Sequence, residues 1–313
     1  MKVLVTGSTG FVGRALVAQL VELGHIEVLA LTRQAPANPV SGAKYLTVGD
    51  LSSQNQWPQV LAGFHAIVHT AARAHVLNDR AADPLAEFRR VNVDVTLLLA
   101  QQAAAMGVRR FVFVSSIGVN GVQSAPGKAF SEEDIPNPIN AYAISKWEAE
   151  QGLIQIAAES GLEVVIIRPP LVYGYDAPGN FGSLMRAVQR GLPLPLGAVY
   201  NQRSLVALDN LVDFIVTCIT HPQAANQTFL VSDGQDLSTT ELVRGMAQAA
   251  GVPARLLPVP VWALQAGASL LGKGDAVQRL CGNLQVDISK ARSLLGWVPP
   301  VSVEEGLRRA MTS

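Results

Sequence analysis

Three glycines at a three-residue step, Gly7, Gly10 and Gly13, lie between a short apolar run and a helical pattern. No other stretch limits the possible folds so sharply. Val3-Leu4-Val5 has the β-branched, apolar character of a strand buried on both faces, and Arg14 to Leu20 continues with helical period. A strand that turns through glycines into a helix gathers free backbone N–H groups and the positive helix end at one point. That point suits a pyrophosphate. Gly7 makes the tight turn, Gly10 lets phosphates approach the backbone, and Gly13 lets helix pack on strand. Thr9, Phe11 and Val12 complete the cofactor loop. A lone glycine pattern is weak, but here the strand before it and the helix after it are both present.

The next strand, Glu27 to Leu31, ends in Thr32-Arg33, where NAD-binding sheets usually carry an acidic residue for the ribose 2′-hydroxyl. A guanidinium can grip a 2′-phosphate, and no carboxylate is there to repel one. Arg33 therefore places NADP(H) ahead of NAD. Further strands are predicted at 45–48, 66–69 and 111–114, with one long helix from about Pro84 to Met106. Asp50, in Gly49-Asp50-Leu51, is placed to meet the adenine amine, and the small residues Thr70, Ala71 and Ala72 allow a cofactor to lie close. Strands alternating with helices give a Rossmann-type, doubly wound α/β fold whose ligands sit beyond the carboxyl ends of a parallel sheet.

The 313 residues carry 24 Lys plus Arg against 24 Asp plus Glu. Such a chain projects no net field toward nucleic acid or an anionic membrane. Cys218 and Cys281 are too few for a disulfide framework, which points to a reducing compartment, the cytoplasm. Met1 and Lys2 lead straight into the first strand, with no leader visible. Val259 to Leu271 is apolar but interrupted by Pro258 and Pro260 and too short to span a bilayer. It reads as a buried or surface-packed helix, with loose membrane association left open. His25, His65, His69, His75 and His221 lack metal spacing and default to core or surface roles.

Tyr142 and Lys146 stand four apart in a helical stretch, so the phenol and the ammonium share one face. An ammonium about 5 Å from a phenol favours the phenolate by roughly 3 kcal/mol at an effective dielectric near 20, about two pKa units. That brings a tyrosine into the range of general acid–base work. Ser116, at the end of the fifth strand, can bond the reacting oxygen and hold it against Tyr142.

With these pieces in order, the chain resembles the extended short-chain dehydrogenase/reductases, in their nucleotide-sugar epimerase/dehydratase group. The matching residues are Gly7 to Gly13, Gly49-Asp50-Leu51, Asn92, Ser115-Ser116, Tyr142 with Lys146, Arg168-Pro169-Pro170-Leu171-Val172-Tyr173-Gly174, Asp287 to Ala291 and Leu295-Gly296-Trp297. The resemblance implies that Tyr142 exchanges the proton, Lys146 binds the nicotinamide ribose, and Ser116 orients the substrate oxygen. It also implies cofactor contacts from Asn92, Ser115 and Pro169, and a sugar-nucleotide diphosphate held by Asn180 and Arg203. A homodimer packed through two helices per subunit is implied too. Dehydratases of the group carry an acidic pair after the catalytic hydroxyl residue. Ile117-Gly118 stands there instead, which disfavours elimination of water. Asn120-Gly121 departs from the Tyr-Gly pair frequent in the epimerases.

Three functions follow. The first is an NADP(H)-dependent reductase passing hydride to a 4-keto nucleotide sugar, with Tyr142 as the acid. The alternative is an NAD-dependent 4-epimerase of the UDP-glucose or UDP-GlcNAc type. The third is a non-catalytic NADP-binding regulatory protein, ranked last because the tyrosine–lysine pair is intact. The cofactor domain is predicted at 1–175 and a substrate part, interleaved with the last strands, at 176–313.

Overall fold

The computed structural model describes residues 1–49, 57–74, 83–270 and 274–312. Asp50, Leu51 and His75 lie outside the described residues. The strands are β1 (Lys2–Thr6), β2 (Glu27–Thr32), β3 (Lys44–Thr47), β4 (Ala66–His69), β5 (Arg110–Val114), β6 (Glu163–Arg168), β7 (Leu171–Tyr173), β8 (Leu205–Ala207) and β9 (Gln227–Leu230). Seven form one sheet in the order β3-β2-β1-β4-β5-β6-β9, and every pairing is parallel. β7 and β8 make a separate parallel pair.

The helices are α1 (Phe11–Glu22), α2 (Trp57–Leu61), α3 (Pro84–Arg89), α4 (Val95–Ala105), α5 (Ala141–Ser160), α6 (Gly179–Gln189), α7 (Leu208–Thr220), α8 (Thr239–Ala249), α9 (Val261–Leu270), α10 (Gly274–Cys281), α11 (Ser289–Leu295) and α12 (Val303–Met311). Successive residues of a strand face opposite sides, and β1 buries both. Val3 and Val5 join the layer of α1, α7 and α11, while Leu4 joins that of α4 and α5. A third core of Tyr173, Phe181, Met185, Val243, Met246 and Leu307 ties α6, α8 and α12 to the small sheet.

The sequence predicts one helix across residues 84–106, and the structure interrupts it with a π-helical turn at Arg90–Asp94. The cause is Asn92, whose buried amide turns inward to bond neighbouring segments, while Thr96 Oγ1 donates to its carbonyl oxygen at 2.8 Å. A register skip of this kind is common where a helix carries a functional side chain. The apolar stretch after Pro260 forms α9. In α9 only Ala268 is buried, while Val261 and Leu264 are partly buried against the third core, so of the two expected placements the helix takes the surface-packed one.

The glycine turn is built by close approach. Gly7 has φ +67°, and a Cβ there would lie 2.6 Å from the Ala71 nitrogen. A Cβ on Gly13 would fall 2.2 Å from the Gly7 oxygen, whereas one on Gly10 would meet only that oxygen, at 3.2 Å. Gly10 itself is in ordinary extended backbone, φ −77° and ψ 170°. Gly13→Ala is therefore expected to lower the unfolding free energy by about 1–3 kcal/mol through overpacking. Gly10→Ala should change it by less than about 0.5 kcal/mol. Urea denaturation of both variants measures the contrast; equal effects would contradict it.

Candidate active site

Because β1, β4 and β5 are adjacent and parallel, the loops that follow them open on one edge of the sheet. The glycine loop after β1 forms the first wall. Its backbone leads into α1 with Gly10 as N-cap, no side chain capping the end and no acidic residue in the first turn. Thr9 and Gly10 are exposed. Uncapped N–H groups at an open helix start, free of negative charge, suit the diphosphate of a dinucleotide. Phe11 packs against the third core, with the end of its ring beside Gly174.

The loop after β4 is the second wall. Thr70 Oγ1 donates to Thr6 O at 2.7 Å, which holds Thr70 and Ala71 against Gly7. Ala72 follows on the same segment. Asn92 pins the far end: its Oδ1 accepts from Arg73 N at 2.8 Å, and its Nδ2 donates to Arg73 O and to Ser145 Oγ, at 3.1 and 3.0 Å. Ser145 Oγ in turn donates to Tyr142 O at 2.8 Å. Asn92 thus joins the cofactor loop to the helix bearing Tyr142. Its side chain is occupied by protein atoms rather than turned to a ligand.

His69 lies beneath, fully buried, between the Thr6 and Thr96 hydroxyls at 2.7 and 3.0 Å. Burial, with the nearby Lys146 charge, pulls its pKa down to about 3, so it is a neutral core residue.

The third wall follows β5. Ser116 caps a short 3₁₀ turn, Ile117–Val119, its Oγ accepting from Gly118 N at 3.1 Å. Gly118 packs on the Ala143 methyl, seating this turn against the start of α5. Helix α5 begins there because Asn140 Oδ1 caps it, accepting from Ala143 N at 2.9 Å. Tyr142 sits in its first turn beside the Phe88 ring, centroids 6.2 Å apart.

Lys146 is one turn on and buried. Its Nζ donates to Val114 O at 2.9 Å and lies 4.4 Å from the centre of the Phe113 ring. Burial brings its pKa down to about 7, with Glu150 opposing the shift. Burial pushes the Tyr142 phenol up to about 12. The lowering expected from an ammonium about 5 Å from the phenol is thus not what the geometry delivers. The cation is drawn onto a main-chain carbonyl, 6.0 Å from the tyrosine ring centre, and is itself desolvated.

Ser115 also departs from expectation, since its hydroxyl donates to Glu150 inside the protein. Glu150 forms a buried ion pair with Arg168, which donates onward to Asn120 Oδ1 at 2.9 Å. Asn120, at the place of the expected tyrosine, is thereby a network member. Pro169 is buried too and offers its carbonyl to Ile117 N at 2.9 Å. Glu150 was missed from the sequence, although its spacing from Tyr142 and Lys146 puts all three on one face of α5.

Asn180 is exposed in the first turn of α6. Arg203 pairs by its backbone with Leu237 and Leu284 and donates from Nη1 to Gly282 O at 3.0 Å. Burial lowers its pKa from the guanidinium range, and it makes no ion pair among the described residues. Arg33 is exposed just beyond β2. Among the described residues no cluster of His, Cys, Asp and Glu could hold a metal ion.

Comparison with known proteins matches this arrangement to the NAD dependent epimerase/dehydratase family over residues 3–232. The chain belongs to that family. It is 48% identical over 98% of its length, and 93% of the relative's, to a UDP-glucose 4-epimerase of Vibrio cholerae. It is 28% identical, over 99% and 94%, to an N-acetyl-alpha-D-glucosaminyl-diphospho-ditrans,octacis-undecaprenol 4-epimerase of Escherichia coli O157:H7. The crystal structure of a Thermus thermophilus UDP-glucose 4-epimerase with NAD superposes with a TM-score of 0.80 at 25% identity, covering 99% of this chain and 98% of that one. The family member described here is accordingly an NAD(P)-dependent enzyme of short-chain dehydrogenase/reductase type.

Lys146 provides a direct check on the site's electrostatics. Its pKa is about 7 when folded against 10.5 unfolded, so the unfolded chain binds more protons between those values. The penalty for burying the charge is full below pH 7 and is relieved as pH rises toward 10.5. Lys146→Met removes that titration. Relative to wild type, its stability should decline on the order of 2 kcal/mol between pH 7 and 9, read from denaturation curves. A pH-independent difference would contradict a buried, depressed lysine.

Proposed function

We propose that this enzyme is a 4-epimerase of a UDP-hexose that keeps NAD bound between turnovers. The observation carrying this reading is the 48% identity to the Vibrio cholerae UDP-glucose 4-epimerase across nearly the whole of both chains. The residues fit the group. The open, uncapped start of α1 would hold the diphosphate, the Thr70–Ala72 wall would flank it, and Lys146 would face the nicotinamide ribose. Bound NAD supplies a hydride acceptor that can return the hydride to the opposite face of C4.

Tyr142 would take the proton of the C4 hydroxyl and later give it back. With its pKa near 12 the phenol is protonated at rest, the form that gives a proton to the C4 oxygen. Ser116 is set for substrate because its Oγ already accepts from Gly118 N, which leaves its own O–H to donate to the sugar oxygen. Arg203, a desolvated cation without an ion-pair partner among the described residues, would take a diphosphate oxygen, and the exposed Asn180 would be a second ligand to the same group. No carboxylate stands next to Ser116 to eliminate water, consistent with epimerisation rather than dehydration. Dimerisation through α4 and α5 belongs to the same proposal.

One observation favours a second reading, NADPH-dependent reduction of a 4-keto sugar. Arg33 is exposed at the end of β2, and residues 28–49 contain no carboxylate to receive a ribose hydroxyl. Two experiments separate the readings. Purified enzyme given UDP-glucose and no added cofactor should form UDP-galactose, and Tyr142→Phe should slow this by about 10²–10⁴-fold; no isomer would refute the epimerase. Protein denatured after purification should release NAD, and Arg33→Ala should leave turnover within about twofold. Released NADP, or a KM for NADPH that rises steeply in Arg33→Ala, would establish the reductase.

A further inference from the structure

The stretch around α9 has no part in the site, and its exposure is unusual for its composition. Trp262 is 72% and Leu270 89% exposed, and the ten residues of α9 carry no charge. Two segments of the substrate side meet here. Leu194 N donates to Arg255 O, Leu257 N to Leu194 O and Gly197 N to Leu257 O, at 2.8, 2.8 and 2.9 Å. Ala198 and Pro260 form a bridge immediately before α9. Leu192, Leu257 and Tyr200 from the joined segments are exposed as well, Tyr200 at 72%.

The charges of these segments are one-sided. Between Asp176 and Asp209, and again between Glu241 and Asp275, there is no acidic residue. The same intervals carry Arg186, Arg190, Arg203, Arg244, Arg255 and Lys273. Arg186, Arg190 and Arg255 are exposed, and none of them makes an ion pair among the described residues. The chain as a whole is neutral, with 24 basic and 24 acidic residues, so these acid-free segments concentrate basic charge while the rest of the chain is net acidic.

We propose that this face docks on an anionic lipid surface, with α9 lying in the plane of the interface. A short apolar helix carrying tryptophan, flanked by arginines, inserts its side chains at headgroup depth while the arginines meet lipid phosphates. No described helix is long and apolar enough to cross a membrane, so the association is peripheral. A protein partner would more often meet such a basic rim with acidic residues of its own. A second copy of this chain has no acidic residues in these two segments to offer. The docking stands independently of which hexose the enzyme takes.

The test uses the whole protein and vesicles of phosphatidylglycerol with phosphatidylethanolamine, against vesicles of phosphatidylcholine, at about 0.15 M salt. Sedimentation with the anionic vesicles only is expected, with a blue shift of tryptophan emission that Trp262→Phe removes. Trp262→Glu with Leu270→Glu should reduce the bound fraction by about tenfold with unchanged turnover and melting temperature. Arg190→Glu with Arg255→Glu should weaken binding and flatten its salt dependence. The proposal is overturned by absence of binding to anionic vesicles, or by binding indifferent to both double variants. It is also overturned if ultracentrifugation shows that the Trp262/Leu270 variant dissociates an oligomer, since the face would then belong to a second copy.

Discussion

The anchoring of α5 to the sheet by two buried charges is the constraint from which the site follows. Lys146 reaches Val114 O, the last carbonyl of β5, and Glu150 reaches Ser115 and Arg168, just beyond β5 and at the end of β6. Removing one partner of the Glu150–Arg168 pair leaves an uncompensated ion and costs about 3–5 kcal/mol. The helix is therefore held in one rotation and one height, and Tyr142, one turn before Lys146, inherits both. A phenol proposed to meet a sugar oxygen within hydrogen-bond reach needs that rigidity more than it needs extra affinity.

The other wall is positioned by relay. Thr6 holds Thr70, Arg73 is held by Asn92, and Asn92 reaches through Ser145 to the Tyr142 carbonyl. The loop expected to flank the cofactor and the helix expected to do the proton chemistry thus share one hydrogen-bonded chain. The π turn around Asn92 is the backbone distortion that lets this amide face inward. Satisfying an amide, a hydroxyl and two main-chain groups at once makes the arrangement specific, because a partly satisfied buried network is costly.

The part of the chain expected to bind substrate obeys different physics. Its core of aromatic and aliphatic residues from α6, α8 and α12 is separate from those of the main sheet, and its outer segments are apolar, basic and exposed. Arginines that lack a carboxylate partner among the described residues are the groups proposed to meet phosphates, of a diphosphate in the one case and of lipids in the other. Arg203 and the exposed Arg190 and Arg255 illustrate the two settings, one desolvated and the other in water.

What the residues determined unaided were the features set by local rules. The β-branched runs became strands, the glycine triplet became a tight strand-to-helix turn, and the i, i+4 spacing put Tyr142 and Lys146 on one face. Those outcomes depend on neighbours in the chain, which a sequence displays. Only the folded chain decided where the polar groups spend their hydrogen bonds. Ser115 turned to Glu150, Asn92 to Arg73, and the Lys146 ammonium to a carbonyl from residue 114, leaving the phenol's pKa raised rather than lowered. Each partner is 19 or more residues away. Desolvation and long-range pairing depend on which atoms exclude water from which others, and linear order does not contain that.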